Sequence, residues 1–143
     1  MSTRILVKRQ LCSGCLSCMT ACSMANERYA SLSASRVQVV LSPFGGTHQP
    51  LLCRQCPRAA CAEACPEKCI VRRLDGCLEI DYERCTGCRA CIEACRLDGI
   101  FWNPISERVI KCELCNGDPQ CVRVCGTGAL RLDVREERQE SDK

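Results

Sequence analysis

Residues 85–95 decide the fold, with the sequence Cys85-Thr86-Gly87-Cys88-Arg89-Ala90-Cys91-Ile92-Glu93-Ala94-Cys95. The spacing C-x2-C-x2-C-x3-C is that of a run that ligates an iron–sulfur cubane. Its first three cysteines share one tight loop, where Gly87 supplies backbone freedom, and each can take one iron of the same cluster. The fourth stands on the first turn of a helix and points away from that loop. So dense a spacing predicts [4Fe–4S] binding.

The spacing recurs, with variation, four times along the chain. Motif one is Cys12, Cys15, Cys18 and Cys22; motif two is Cys53, Cys56, Cys61 and Cys65; motif three is Cys85, Cys88, Cys91 and Cys95; motif four is Cys112, Cys115, Cys121 and Cys125. Motifs two and four have a wider gap between the second and third cysteine. These sixteen cysteines match four [4Fe–4S] clusters at four ligands each. The remaining two, Cys69 and Cys77, are predicted to be buried thiols, since free cysteine behaves as a small hydrophobe.

Length and composition favour one small domain that depends on its metal. The chain has 143 residues, of which only 3% are aromatic. A chain with so few bulky side chains needs additional cross-links to be stable, and metal clusters can supply them. We therefore expect the chain without clusters to be largely disordered. We predict a single four-cluster domain over residues 1–134, with an insertion at 30–52 between motifs one and two, and a charged tail at 135–143.

The N-terminal sequence bears on the alternative of a secreted disulfide scaffold. Residues 1–9 contain no apolar run of signal-peptide length and no twin arginine, and no stretch approaches the length of a membrane span. These features predict a cytoplasmic protein without direct membrane insertion. In a reducing compartment, thiolate–metal chemistry is far commoner than disulfide formation.

The net charge argues against a nucleic-acid partner. The formal value of +3 counts the thiols as neutral. Sixteen thiolates (−16) on four cores of about +2 each contribute about −8, which brings the loaded protein to about −5. Two interpretations stay open for the basic residues close to the ligands in sequence: they raise the cluster potentials, or they form a solvated face. These residues are Arg54, Arg58, Arg72, Arg73, Arg89 and Lys111.

Short strands and turns are predicted between the motifs. Apolar and β-branched patterns predict strands at 4–11, 36–41 and 108–111, and a hairpin over 71–80 with the turn Asp75-Gly76. A short helix is predicted to continue past Cys22 over 23–29. The loop 42–50, with two prolines and Gly45-Gly46, is predicted to be irregular and to expose His48. Residues 131–143 alternate in charge and predict a disordered segment or a surface helix.

Several of these features are shared with a known group of proteins. The chain resembles the four-cluster ferredoxin-type subunits of larger redox enzymes, over roughly residues 4–133. The resemblance is carried by Lys111-Cys112-Glu113-Leu114-Cys115, by the widened motifs two and four, and by the strand at 36–39. Relatives accompany dimethyl-sulfoxide reductase, formate dehydrogenases, formate hydrogenlyase, carbon monoxide dehydrogenase and tungsten aldehyde oxidoreductases. The chain departs from the pattern at Ser23, Arg96 and Gly126, where a proline usually follows the fourth cysteine.

The resemblance implies a small α+β fold of two bacterial-ferredoxin-like halves, with short hairpins and short helices around the clusters. The resemblance implies that motif one pairs with motif four, and motif two with motif three. Within each pair, the fourth cysteine of one motif ligates the cluster held by the other motif. The implied ligand quartets are Cys12, Cys15, Cys18 with Cys125; Cys112, Cys115, Cys121 with Cys22; Cys53, Cys56, Cys61 with Cys95; and Cys85, Cys88, Cys91 with Cys65. Sequential pairing, one with two and three with four, stays open.

The predicted function is electron transfer without catalysis. The sequence shows no nucleophile–base pair, phosphate-cradling glycine loop or pterin motif. The resemblance implies a large catalytic partner, with a tungsten- or molybdenum-pterin enzyme of the aldehyde oxidoreductase type favoured. A hydrogenase, formate dehydrogenase or carbon monoxide dehydrogenase is the alternative. A flavin protein or a ferredoxin is a candidate second redox partner, and head-to-tail self-association is a further hypothesis.

Two other classes of function are alternatives to electron transfer. In a structural zinc protein that binds nucleic acid or another partner, C-x2-C pairs would hold tetrahedral zinc. Against zinc, a third cysteine follows each pair at cubane spacing, and aromatics for base stacking are few. In a redox sensor, one labile cluster would regulate a partner, and nothing in the sequence favours this over electron transfer.

Overall fold

The computed structural model describes residues 2–135, and it contains only short helices and strands. The strands are β1 (Ser2–Val7), β2 (Val37–Val40), β3 (Gln49–Leu52), β4 (Ile70–Arg72), β5 (Leu78–Ile80), β6 (Ile100–Asn103), β7 (Arg108–Lys111) and β8 (Leu130–Arg135). The α-helices are α1 (Ser17–Glu27), α2 (Ala60–Ala64), α3 (Ala90–Ala94) and α4 (Gln120–Val124). Short 3₁₀ turns lie at Arg9–Leu11, Leu32–Ala34 and Leu114–Gly117. Within residues 2–135, no helix has the length and hydropathy needed to cross a bilayer.

The strands form four antiparallel two-stranded sheets. Three are hairpins of neighbouring strands, β2–β3, β4–β5 and β6–β7. The fourth joins the two ends of the described chain, since β1 pairs with β8 and Ile5 lies opposite Leu132. This long-range pair encloses the other three sheets in sequence. The chain therefore returns to its start, and motif four is brought back beside motif one.

Helix packing gives the same pairing of the motifs. The third and fourth cysteines of motif one lie on α1, which packs against α4 of motif four, and α2 of motif two packs against α3 of motif three. Two apolar cores largely follow this division, although the first also contains Cys53 and Cys77. One contains Ile5 and Leu130 with Cys22 and Cys121, and the other contains Ile70, Ile80, Ile100 and Val109. The predicted fold of two ferredoxin-like halves, with motif one paired with four and two with three, is confirmed.

Two of the predicted strands and the predicted hairpin are found close to their predicted limits. β2 lies within the predicted strand at 36–41, β4 and β5 form the predicted hairpin, and β7 matches 108–111. In that hairpin Gly76 has a φ of 85°, and the N–H of Cys77 donates to the Asp75 carboxylate at 3.0 Å. The Asp-Gly pair thus turns the chain as expected.

The C-terminal prediction for residues 131–143 was wrong where it can be checked. Residues 130–135 form β8 rather than a disordered segment or helix, and residues 136–143 lie outside the described part. Leu130, Leu132 and Val134 alternate with charged residues, which is the period of a strand. The boundary at 134/135 between domain and tail remains a prediction.

Smaller differences occur near motif one. The strand predicted at 4–11 ends at Val7 and is followed by a 3₁₀ turn, and the helix predicted for 23–29 begins earlier, at Ser17. The irregular loop predicted at 42–50 ends in β3, where Pro50 lies opposite Val39. A two-stranded sheet consists of edges only, so a strand there tolerates a proline, which donates no hydrogen bond.

Candidate iron–sulfur cluster sites

The four cysteine loops share one backbone feature beside the second cysteine. The residue before the second cysteine has a left-handed φ in every motif: 74° at Gly14, 52° at Gln55, 74° at Gly87 and 61° at Leu114. The residue after it is also left-handed in three motifs, at Leu16, Arg89 and Asn116. Motif two has Pro57 there, whose ring fixes φ near −65°. The repeated geometry explains how unequal spacings produce four similar loops.

The first site combines the loop of motif one with the last cysteine of motif four. Cys12, Cys15, Cys18 and Cys125 line one cavity of about 280 Å³. Burial, together with the neighbouring thiols of Cys12, Cys125 and Cys15, raises the pKa of the Cys18 thiol to about 11. The structure therefore brings together the four cysteines of the first predicted quartet.

The third predicted quartet also lines a single cavity. Cys53, Cys56, Cys61 and Cys95 surround a space of about 400 Å³ between motifs two and three. The backbone N–H of Gly99 donates to the Cys95 sulfur at 3.3 Å. A Cβ at residue 99 would lie 2.7 Å from the backbone nitrogen of Cys53, so only glycine permits this approach.

The second predicted quartet gathers in the first core. Burial raises the pKa of the Cys121 thiol, and the nearby thiols of Cys112, Cys22 and Cys115 add to that effect. The Cys22 sulfur accepts a hydrogen bond from the backbone N–H of Arg36 at 3.2 Å. Motif one therefore contributes its fourth cysteine to the group formed by motif four.

The structure brings the four cysteines of the fourth predicted quartet together less directly. Burial raises the pKa of the Cys91 thiol to about 11, with a contribution from nearby Cys85. Cys65 is buried and lies beside Cys69, with 3.1 Å between the two sulfurs, and Cys69 in turn interacts with Cys85. Cys88 is exposed at the loop tip. A fifth thiol thus stands between Cys65 and the motif-three loop.

That fifth thiol was only partly foreseen. Cys69 is buried, as predicted, at 4% exposure, and it lies in direct contact with a predicted ligand. Its backbone N–H donates to the Cys65 sulfur at 3.4 Å, as Gly99 does to Cys95. The signal in the sequence was the position, four residues after the last cysteine of a motif. Cys77 is buried at 1% exposure within the first core, as predicted.

His48 differs from its prediction as an exposed loop residue. Its side chain is half-buried, and its Nδ1 accepts a hydrogen bond from the backbone N–H of Ser42 at 3.0 Å. The ring lies against Gly14 in the motif-one loop, where an added Cβ would be 2.9 Å from Nε2. The histidine therefore packs on the loop that carries Cys15.

The donor chemistry fits [4Fe–4S] clusters. Two quartets line cavities with four thiols each, and a cubane takes four cysteine thiolates. Backbone N–H groups already point at the sulfurs of Cys22, Cys65 and Cys95. Within residues 2–135, no three cysteine, histidine or acidic side chains are gathered closely enough to hold a single metal ion.

Comparison with known proteins agrees with this chemistry. Residues 46–135 match the family described as the 4Fe–4S dicluster domain. The chain is 36% identical over 132 residues to the polyferredoxin-like subunit of an aliphatic sulfonate oxidoreductase from Pyrococcus furiosus, which covers 90% of this chain and 76% of that protein. It is 30% identical over 141 residues to the electron transfer subunit of thiosulfate reductase from Salmonella typhi, over 90% of this chain and 73% of that protein.

The fold is also found among solved structures. The active-site complex BamBC of benzoyl-coenzyme A reductase, as isolated, contains a chain that matches with a TM-score of 0.57 and 27% identity, covering 96% of this chain and 81% of that chain. The chain therefore belongs to the 4Fe–4S dicluster domain family of iron–sulfur electron-transfer subunits, and it carries multiple [4Fe–4S] clusters.

Proposed function

We propose that the chain is a non-catalytic electron-transfer subunit that carries four [4Fe–4S] clusters and serves a catalytic oxidoreductase subunit. The ligands are the four cross-motif quartets: site A, Cys12, Cys15, Cys18 and Cys125; site B, Cys112, Cys115, Cys121 and Cys22; site C, Cys53, Cys56, Cys61 and Cys95; and site D, Cys85, Cys88, Cys91 and Cys65. The bound clusters supply one-electron oxidation and reduction. The protein sets their positions, their burial and the hydrogen bonds to their sulfurs.

Electrostatic interactions between thiols of different quartets support an order in space. The thiol of Cys121 in site B interacts electrostatically with that of Cys18 in site A. Likewise Cys112 in site B interacts with Cys53 in site C. Cys91 in site D interacts with Cys61 in site C. These three links support a single row in the order A, B, C, D, which is the arrangement expected of a conduit with two ends.

The proposal rests mainly on which cysteines are exposed to solvent. Of the eighteen cysteines, all within the described residues, only Cys15 and Cys88 are exposed. Cys15 belongs to site A and Cys88 to site D, the two ends of the proposed row. A subunit that exchanges electrons with two partners needs accessible ends and covered interior sites, and the burial pattern has that form.

Two relatives support a catalytic oxidoreductase subunit as the partner. An aliphatic sulfonate oxidoreductase has a polyferredoxin-like subunit, and the benzoyl-coenzyme A reductase relative is part of an active-site complex. We favour a cytoplasmic tungsten- or molybdenum-pterin enzyme of the aldehyde oxidoreductase type as the catalytic partner. A hydrogenase, formate dehydrogenase or carbon monoxide dehydrogenase is the alternative. A flavin protein or a ferredoxin then serves the other end, and head-to-tail self-association remains a further proposal.

Anaerobic co-purification from the native host tests the proposed function. Iron, tungsten, molybdenum, nickel and zinc are quantified in the complex. We expect about sixteen irons per chain, as four cubanes require, together with a tungsten or molybdenum subunit. Nickel in the partner would replace the favoured class with a hydrogenase or carbon monoxide dehydrogenase. Zinc without iron would contradict the proposal, and a single mass at every concentration would contradict self-association.

A further inference from the structure

Lys111 is the largest fully buried side chain among the described residues. It is the last residue of β7, has 0% exposure and precedes Cys112 of site B. Its Nζ donates to the backbone carbonyl of Leu78 and, at 3.0 Å, to that of Cys112. Lysine is almost never fully buried unless it is paired, so its surroundings require explanation.

No carboxylate supplies that pairing within residues 2–135, since none of the ion pairs there includes Lys111. The acidic residue nearest to it in sequence, Glu113, is engaged elsewhere. Its carboxylate pairs with Arg36 at 3.5 Å and accepts the backbone N–H of Ile80 at 3.4 Å. Carbonyl dipoles solvate the ammonium of Lys111 but carry no net charge. An ammonium buried without a counter-charge is strongly unfavourable.

The ammonium of Lys111 interacts with groups that belong to two neighbouring cluster sites. Its Nζ donates to the carbonyl of Cys112, a ligand of site B, and to that of Leu78, which lines the site C cavity together with Cys61. Its charge also acts to lower the pKa of the thiols of Cys112 and Cys61. It also acts on Cys77, the non-ligand thiol of the first core. Four thiolates on a core of about +2 leave each loaded site with a net charge of about −2. None of the described carboxylates pairs with the ammonium of Lys111. Sites B and C, once loaded, supply the negative charge instead.

We propose that Lys111 is a fixed cation shared by the two interior cluster sites, and that it raises the reduction potentials of both. The inference rests on the proposed assignment of Cys112 and Cys61 to those sites. Adding one electron makes a site more negative, so a nearby cation stabilises the reduced form more than the oxidised form. In a buried environment this interaction is strong and little screened by salt. Removal of the charge must then lower both potentials.

The test is a redox titration of the full-length, cluster-loaded protein, followed by electron paramagnetic resonance. We expect Lys111→Met to lower the equilibrium constant for reduction at two of the four clusters by at least tenfold, which is 59 mV for a one-electron couple. The other two clusters keep their wild-type potentials. Raising the salt concentration leaves the difference in reduction potential between Lys111→Met and the wild type unchanged.

Two matched variants separate the charge from the packing. Gln55 lies in the same hydrogen-bond network, because its Nε2 donates to the carbonyl of Cys112 at 2.8 Å and its Oε1 accepts from the N–H of Leu78 at 2.7 Å. Gln55→Leu removes these bonds without removing a charge, and we expect a shift well below tenfold. Lys68→Met removes an exposed lysine, and we expect the two interior potentials to be unchanged.

The inference fails if Lys111→Met leaves all four potentials unchanged, moves all four equally, or acts no more strongly than Gln55→Leu. A measurement on the native protein covers the case in which Lys111→Met does not load. After labelling with ¹⁵N-lysine, the Lys111 nitrogen should show electron–nuclear coupling to the reduced clusters, and its absence would contradict the inference. An iron content far below about sixteen per chain would instead overturn the proposed function itself.

Discussion

Cys22 and Cys115, from opposite ends of the chain, face the same side-chain amide. The Nδ2 of Asn26 lies 3.6 Å from the Cys22 sulfur and 4.0 Å from the Cys115 sulfur, and it also donates to the Cys22 carbonyl at 2.9 Å. Helix α1 therefore delivers the last cysteine of motif one to the loop of motif four. This is the geometry that cross-ligation between paired motifs requires.

Ile5 supports that pairing from strand β1. The side chain has 0% exposure, lies opposite Leu132 and belongs to the core that contains Cys22 and Cys121. We expect Ile5→Ala to lower the free energy of unfolding by about 2–5 kcal/mol because it leaves a cavity in this core. The measurement is anaerobic guanidinium unfolding followed by the visible absorption of the clusters.

Val134→Ala is the control for Ile5→Ala. Val134 lies on β8, but its side chain is exposed. A surface substitution of this kind changes stability by about 0.5 kcal/mol or less. Equal effects of the two variants would contradict the described packing of β1 on β8.

Arg36 joins helix α1 to the motif-four loop through buried charges. Its guanidinium pairs with Glu27 on α1 at 3.7 Å and with Glu113 at 3.5 Å, and the Arg36 and Glu27 side chains are only 8% and 7% exposed. Arg36→Met leaves the Glu27 carboxylate buried with one cation fewer, so we expect a loss of about 3–5 kcal/mol in the free energy of unfolding.

An exposed pair serves as the control for Arg36→Met. Arg84 pairs with Asp81 at 3.0 Å in solvent. Arg84→Met should cost less than about 1 kcal/mol, because surface ion pairs contribute little. An Arg36→Met variant as stable as the wild type would show that the buried network does not hold α1 to the motif-four loop.

Cys69 is expected to tune one cluster without ligating it. If the Cys65 thiolate holds iron, the Cys69 thiol 3.1 Å away donates a hydrogen bond to it. Cys69→Ala should keep about sixteen irons per chain and lower the potential of one cluster, since hydrogen bonds to the sulfurs raise cluster potentials. Iron analysis and a redox titration measure the two quantities.

Cys77→Ala is the matched control for Cys69→Ala. Cys77 is equally small and buried, and its thiol lies 3.7 Å from the carbonyl of Leu78. We expect it to leave all four potentials close to those of the wild type. Loss of one cluster in Cys69→Ala would instead identify Cys69 as a ligand.

The exposed end at Cys88 carries the residues expected of a docking surface. The Arg89 guanidinium lies 3.9 Å from the ring centroid of Trp102, beside an open groove of about 670 Å³ that Phe101 and Pro104 also line. Tryptophan and arginine dominate binding hot spots, so Trp102→Ala should weaken association with the catalytic partner by about 2 kcal/mol or more, roughly 30-fold. Titration calorimetry with the purified partner measures this.

An exposed aromatic elsewhere on the chain serves as the control for Trp102→Ala. Phe44 in the insertion is 98% exposed and distant in sequence from the motif-three loop. Phe44→Ala should leave the affinity unchanged. If Phe44→Ala weakens binding and Trp102→Ala does not, the partner docks elsewhere on the chain.

The cysteine spacing predicted most of the architecture because metal ligation constrains the chain more tightly than side-chain packing does. The four loops, the hairpin with its Asp75-Gly76 turn and the strand β7 could be placed from local sequence alone. The strand β8 could not, since its alternating charges resemble a solvated tail. Its apolar residues gain a strand role only through pairing with β1, a contact between the two ends of the described chain.

The environment of the site was harder to predict than its ligands. Lys111 is one of six basic residues close to ligands in sequence, and no local pattern distinguishes it as the one with 0% exposure. Its burial follows from the packing of β7 near β5. The approach of Cys69 to Cys65 likewise depends on the chain turning back after α2, which spacing does not specify.

Iron counting in combined cysteine variants tests the cross-motif ligation most directly. Replacing Cys12, Cys15 and Cys18 together by alanine should leave about twelve irons per chain by native mass spectrometry, because one cubane is lost. Adding Cys125→Ala to that variant should remove no further iron, since Cys125 has already lost its cluster. Adding Cys65→Ala instead should remove about four more irons, because Cys65 belongs to another cluster. The reverse result, with further loss on removing Cys125 and none on removing Cys65, would contradict the proposed quartets and establish sequential pairing of the motifs.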